Sequence, residues 1–250
     1  MRAGGWRGGP GALPRAIVPP FMTVEALEPY SILDWDVVAT ARVQGGAGEF
    51  VLGRFADDWV IRVGERILMS NRVHNSEEVM AERAFERFPD PSTVLVGGLG
   101  LGYTLRAVLD LASEDAQVTV AELVPELVGW NREYLGHFND HPMDDPRCNV
   151  VVGDVFETLK RSPGAFDIIL LDVDNGPQAL AEAKNQRLYG DIGVRTCRAA
   201  LRPGGILAVW SCGPSARYVR KLESHGFEVE VLRVASRVGG RIQHVIFMAR

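Results

Sequence analysis

The stretch Thr93-Val94-Leu95-Val96-Gly97-Gly98-Leu99-Gly100-Leu101-Gly102-Tyr103-Thr104-Leu105 decides the fold. Its apolar, β-branched start follows Pro91 and predicts a buried strand over Thr93–Val96, and Tyr103–Ser113 reads as a helix. Between them Gly98, Gly100 and Gly102 open the helix. Glycine there permits positive φ and lets a ligand come close to the backbone. The pattern suits a nucleoside or a dinucleotide pyrophosphate equally well.

Working outward, strand and helix alternate. Strands are expected at Val118–Ala121, Asn149–Val152, Asp167–Leu171 and Gly205–Trp210, with helices over Pro125–Leu135, Val155–Lys160 and Tyr189–Leu201. The last helix stops at Arg202-Pro203-Gly204-Gly205, since proline cannot continue a helix and glycine caps one. Glu228–Ala235 and Gln243–Met248 read as an antiparallel hairpin closing the sheet. Alternating units of this kind imply an α/β, Rossmann-like fold with a mostly parallel sheet covered on both faces.

Upstream, Asp36–Val43, Glu49–Phe55, Trp59–Val63 and Arg66–Ser70 read as short strands of a small antiparallel β domain. From Ser76 to Phe88 the pattern turns helical, with Ser76 as the expected N-cap. The expected division is a disordered leader over residues 1–22, the β domain over 23–75 and a catalytic Rossmann-like domain over 76–250. The first 20 residues are rich in Gly, Pro and Arg and carry no acid, without the apolar core of a secretory signal.

The chain has 250 residues, enough for a sizeable core, and a formal net charge of −5. That balance gives no electrostatic case for nucleic acid or an anionic membrane as partner. Cys148, Cys197 and Cys212 lie far apart with no metal-ligand spacing, which suits reduced thiols in the cytoplasm. His137 and His141 are four apart, but Pro142 follows, so no helix is expected to carry both and no metal is expected. Arg233, Arg237 and Arg241 read as a solvated hairpin face, and Trp210 as core or rim packing.

In such sheets ligands bind beyond the carboxyl ends of the strands. Glu122 ends one strand, where a carboxylate can accept hydrogen bonds from ribose hydroxyls. Asp154 ends the next and can accept from an adenine amino group or N-cap the following helix. Asp172-Val173-Asp174-Asn175-Gly176 ends a fourth, facing the cleft or forming an Asx-type turn.

At these residues the chain resembles the polyamine aminopropyltransferases, the spermidine synthase family, which share the class I methyltransferase fold. Val94 to Arg106 looks like that family's glycine motif, Asp145-Pro146-Arg147 with Val150 to Phe156 resembles its adenine segment, and Phe166 to Asp172 is similar to its catalytic strand. The resemblance implies that Glu122 holds ribose, Asp154 holds adenine, and Asp172 is the catalytic acid, with Asp174 as a second candidate. It implies substrate-side roles for His74, Glu82, Asn175 and Tyr189. The implied co-substrate is decarboxylated S-adenosylmethionine, the implied partner a small-molecule amine, and the implied assembly a homodimer.

The chain departs from the family at telling positions. Gly100 stands where relatives carry an Asp that contacts the aminopropyl amine, so the space and backbone N–H groups there also suit the carboxylate of intact S-adenosylmethionine. Two chemistries therefore stand open, aminopropyl transfer and methyl transfer, beside a catalytically silent nucleoside-binding protein. A nicotinamide enzyme leaves Arg106 and Asp145-Pro146-Arg147 without a role.

Overall fold

The computed structural model describes residues 35–42, 49–64, 66–173, 176–179 and 187–250. The expected leader lies outside these residues, as do Asp174 and Asn175. A four-stranded antiparallel sheet comes first: β1 (Asp36–Arg42), β2 (Glu49–Phe55), β3 (Asp58–Val63) and β4 (Arg66–Ser70), paired in chain order. Helix α1 (Asn75–Arg87) leads out of it.

The second sheet holds β5 (Thr93–Gly97), β6 (Gln117–Glu122), β7 (Cys148–Val152), β8 (Phe166–Leu171), β9 (Leu201–Ser211), β10 (Val229–Ala235) and β11 (Gln243–Ala249). Their order is β10-β11-β9-β8-β5-β6-β7, with β11 antiparallel to both neighbours and the others parallel. The chain reverses its winding between β5 and β8, so the ends of these two strands flank the switch point where a ligand crevice opens. This is the α/β architecture expected from the sequence.

Both faces are covered, and the two-residue period of a strand explains how. Leu95, Ile169, Leu207 and Val209 point to one face and pack with Phe156, Leu159, Val194, Cys197 and Leu222. These belong to α4 (Val155–Arg161), α5 (Asp191–Ala200) and α6 (Ala216–Ser224), where α3 is Pro125–Trp130 and α2 is Tyr103–Leu111. Their neighbours Val94, Val96, Ile168, Leu170 and Ala208 point the other way, onto Met80, Ala81 and Phe85 of α1 and Leu105 and Val108 of α2. The small sheet joins this body through Leu52, Trp59 and Ile61, which pack on Leu101, Leu127, Trp130 and Leu135.

Three elements differ from expectation. Helix α1 is capped at His74, without a side-chain cap bond, and Ser76 lies inside the first turn because its hydroxyl has buried partners elsewhere. The stop signal after α5 does end the helix, yet Leu201–Gly205 already belongs to β9 through a register shift: Phe166 pairs with Leu201, but Ile168 with Ile206. The third is α6, which was not anticipated; Ser215 caps it by accepting from the Tyr218 amide. Arg233, Arg237 and Arg241 are exposed, as expected. Among the described residues no helix is long and apolar enough to cross a membrane.

The bottom edge of the sheet is tied by Asp167, 5% exposed. Its carboxylate accepts from the amides and hydroxyls of Ser92 and Thr93 and from the Arg202 guanidinium, linking β5, β8 and β9. These donors hold its carboxyl below the usual range against the opposing effect of burial. Asp167→Ala strands several buried donors and is expected to cost at least about 2 kcal/mol, read as a lower denaturant midpoint at pH 7.

Candidate active site

The glycine turn is shaped by backbone crowding. Gly98, Gly100 and Gly102 have φ of +90°, +53° and +89°. A Cβ on Gly98 would stand 2.2 Å from the Asp172 carbonyl oxygen, a distance no side chain can occupy. On Gly102 it would meet the Asn139 side chain at 2.8 Å, and on Gly100 the Met69 sulfur at 3.2 Å. Asn131, from a π-helical turn after α3, donates to the Gly100 carbonyl at 2.8 Å, and Asn139 donates to that of Leu101 at 2.5 Å. Two side-chain amides thus fix the carbonyls of the turn.

Glu122, 6% exposed, ends β6 beside this turn. Its Oε2 accepts from the Leu99 amide and its Oε1 from the Val124 amide, both at 2.8 Å, which fixes the carboxylate's orientation. Asp154 N-caps α4 by accepting from the Phe156 amide at 2.8 Å, and its other oxygen lies 3.8 Å from Arg187. Between these acids a side chain on Gly153 would project into open space. Leu123 and Val152 flank the same region and are each 52% exposed, which offers apolar surface to a flat ring.

Across the switch point stands Asp172, at the end of the wholly buried strand β8. Its Oδ2 accepts from the Thr104 hydroxyl at 2.7 Å, and its amide extends the ladder by donating to the Gly97 carbonyl. Burial pushes its carboxyl up to about 6 against the opposing Thr104 bond. Glu77, in the first turn of α1, is pushed higher still, to about 8, by burial and then by the nearby Asp172 carboxylate. Among the described residues no basic side chain forms an ion pair with either acid. Burial and the Asp172 charge let Glu77 keep its proton near neutrality, and an arriving cation can displace it. His74 stacks on Tyr103 at 4.0 Å between ring centres and bonds Glu78 at 2.7 Å beside this pair. Burial, then Glu78 and Glu77, push the Tyr103 phenol up to about 12.

The residues read from sequence fall into place unevenly. Gly98, Gly100, Gly102, Glu122, Asp154, Asp172 and His74 gather at the carboxyl edge of the sheet. Glu82, read as a substrate-side acid, sits on the exposed side of α1. Tyr189, 1% exposed, packs in the core against Tyr218, and its hydroxyl donates to the Val173 carbonyl, bracing the chain just after Asp172. Glu77, Leu123 and Val152, which the structure places at this edge, were not singled out in the sequence. Glu77 carried a usable signal, since it is three residues beyond His74 and lies on the first turn that a strand-to-helix junction aims at the cleft.

Strand order, switch point and a separate N-terminal antiparallel sheet define a protein of the Rossmann-like class I methyltransferase architecture. Within that class the chain belongs to the spermine/spermidine synthase family: the spermine/spermidine synthase domain matches residues 73–218, from the end of the small sheet to α6. It is 37% identical over 136 residues to polyamine aminopropyltransferase 2 of Pseudomonas aeruginosa, covering 53% of this chain and 37% of that protein. It is 34% identical over 155 residues to polyamine aminopropyltransferase 1 of Hyperthermus butylicus, covering 60% and 51%. The chain therefore spans about half or less of these curated relatives. Spermidine synthase of Thermotoga maritima shares the fold, with a TM-score of 0.70 at 20% identity over 85% of this chain and 72% of that one. So does a spermidine synthase in complex with the transition-state analogue AdoDATO, with a TM-score of 0.69 at 19% identity over 85% and 71%.

The raised acid of α1 has a thermodynamic signature. Folded Glu77 binds its proton more tightly than unfolded Glu77, so its stabilising contribution is complete below about 4.5 and is lost as the pH rises through about 8. Wild-type protein should lose stability relative to Glu77→Gln across that window, measured as diverging denaturant midpoints. A difference that stays constant with pH would remove the raised acid from the site.

Proposed function

We propose that the chain is an aminopropyltransferase that moves the aminopropyl group of decarboxylated S-adenosylmethionine to a small amine. The observation that carries this reading is the Glu77–Asp172 acid pair, with no basic partner among the described residues, at the crevice where the glycine turn ends. Such a pair attracts ammonium groups and repels the carboxylate of intact S-adenosylmethionine.

The residues fit an adenosyl nucleoside on their own geometry. Gly98 and Gly102 let the turn pack directly against Asp172 and Asn139, and the region by Gly153 is open. Oriented Glu122 is assigned to the ribose hydroxyls, Asp154 to the adenine amino group, and Leu123 with Val152 to the faces of the ring. The amine nitrogen must lose a proton before it can attack. Its lone pair then forms a C–N bond to the methylene beside the sulfonium, the C–S bond breaks, and sulfur keeps that electron pair as a neutral thioether. Asp172, held by Thr104, orients the nitrogen and takes its proton. The sulfonium is already activated, so alignment and exclusion of water supply the rest.

Methyl transfer from intact S-adenosylmethionine is the second reading, favoured by Gly100 where the family has an acid. Calorimetric titration separates the two: decarboxylated nucleoside should bind at least about tenfold more tightly than the intact form, a gap of about 1.4 kcal/mol. The reverse preference would replace aminopropyl transfer by methyl transfer. The same reading extends to a cytoplasmic homodimer, which sedimentation of the purified chain would test.

Asp172→Asn should cut turnover roughly a hundredfold or more with the fold retained by circular dichroism, the turnover being read by mass spectrometry of products over an amine panel. Because Asp172 must be ionised to accept the proton, kcat/KM should fall as the pH drops through about 6. A profile flat through that region would take Asp172 out of the proton transfer.

A further inference from the structure

Ser76 lies fully buried in the first turn of α1, at a junction of three polar groups. Its Oγ is 2.6 Å from Glu77 Oε2, 2.8 Å from His244 Nδ1 and 3.0 Å from Trp210 Nε1. His244 comes from β11 and Trp210 from β9, and their rings meet edge to face at 4.6 Å. Burial lowers the His244 ring to about 4, so the imidazole is neutral at physiological pH.

Counting protons at this junction leaves little freedom. A hydroxyl offers one hydrogen and two acceptor positions, and an indole N–H only donates. Trp210 therefore takes one acceptor position of Ser76 permanently. One donor and one acceptor position remain for Glu77 and His244, which allows two arrangements. With Glu77 ionised, Ser76 donates to Glu77, and His244 donates its Nδ1–H to Ser76. With Glu77 protonated, Glu77 donates to Ser76, Ser76 donates to a bare Nδ1, and the imidazole carries its hydrogen on Nε2.

These two arrangements are the two ends of one proton transfer. Starting from protonated Glu77, the proton moves to Ser76, the Ser76 hydrogen moves to Nδ1, and the Nε2 hydrogen leaves to water. One proton enters at the carboxyl and one leaves at the far side of the ring, with every atom's valence restored and no charge left on the imidazole. We propose that Glu77, Ser76 and His244 form a proton relay that carries the proton released by the attacking amine away from the Asp172 site, with Trp210 restricting Ser76 to a single path. This role rests on the aminopropyl-transfer reading; the coupling between Glu77 and the His244 tautomer does not.

The groups around Glu77 suit the task. Asp172 faces it from the end of β8 and Glu78 from its own helix, and both make the ionised form costlier. Tyr103, from α2, stays protonated beside them, and His74 is engaged with Glu78. A residue serving only to fasten α1 to the sheet would need no such donor balance.

The relay is tested in the free 250-residue chain by 15N NMR of labelled histidines over a pH titration. His244 should show the Nε2–H tautomer below about pH 8 and the Nδ1–H tautomer above it, following Glu77. In Glu77→Gln the tautomer should no longer change across that range, and in Ser76→Ala the link should be cut. A single tautomer throughout in the wild type, or an unaltered switch in Glu77→Gln, would overturn the proposal. Because this readout needs no turnover, failure of the aminopropyl reading in the calorimetry above would leave it intact. In the kinetic arm, Ser76→Ala should lower kcat about tenfold or more with nucleoside KM unchanged. Ser76→Thr, which keeps the hydroxyl, should restore it. Equal kcat in Ser76→Ala and wild type would overturn the role in catalysis.

Discussion

The backbone contact between Gly98 and Asp172 is the constraint on which the rest of the site depends. With only 2.2 Å between a would-be Cβ and the Asp172 carbonyl, the ends of β5 and β8 can converge only if residue 98 has no side chain. That convergence is also written in hydrogen bonds, since the Asp172 amide reaches Gly97 and the Gly98 amide reaches Ala121. The parallel ladder thus continues one step past each strand, and the acid stands at a fixed height above the glycine turn. Thr104, on the first turn of α2, meets Asp172 from a helix that starts at left-handed Gly102. One missing side chain sets the spacing between the glycine turn and the acid.

Most of the fold was legible because buried parallel strands are almost continuous apolar runs. Ile168-Ile169-Leu170-Leu171 has no reading other than a strand covered on both sides, and the alternation of its two faces follows from the period alone. The errors lie where one local signal admits two outcomes. Ser76 before an acidic turn looks like an N-cap, but its hydroxyl is worth more to Trp210 and His244, partners far away in sequence. Pro203-Gly204-Gly205 does stop a helix, but a bulged strand tolerates the same residues, and pairing with β8 decides the matter. Helix α6 has a polar sequence, so its apolar face is sparse and its cap at Ser215 was the main clue.

The site was legible at strand ends and opaque on α1. Strand ends are fixed in phase by the sheet, so Glu122, Asp154 and Asp172 could be assigned to one edge without coordinates. A helix whose start is uncertain by one or two residues rotates each candidate by about 100° per residue. Glu82 was read as a substrate-side acid from the family resemblance, and Glu77 was not singled out. The cost of burying Glu77 is itself informative. A chain that keeps two mutually repelling carboxyls half-buried, without an ion pair among the described residues, retains them against stability. Ser76 then links that pair to β11, the antiparallel strand at the other side of β9, so the sheet's last strand is chemically joined to its switch point.

Met69 and Gly100 bear on what the motif can accept. The sulfur of Met69 stands at the approach to residue 100, whose backbone is left-handed at φ +53°. A side chain at residue 100 would meet the Met69 thioether at 3.2 Å, so the thioether would have to yield by a few tenths of an ångström. The small sheet thereby supplies the ceiling of the glycine turn, and the identity of residue 69 tunes how much volume residue 100 can take.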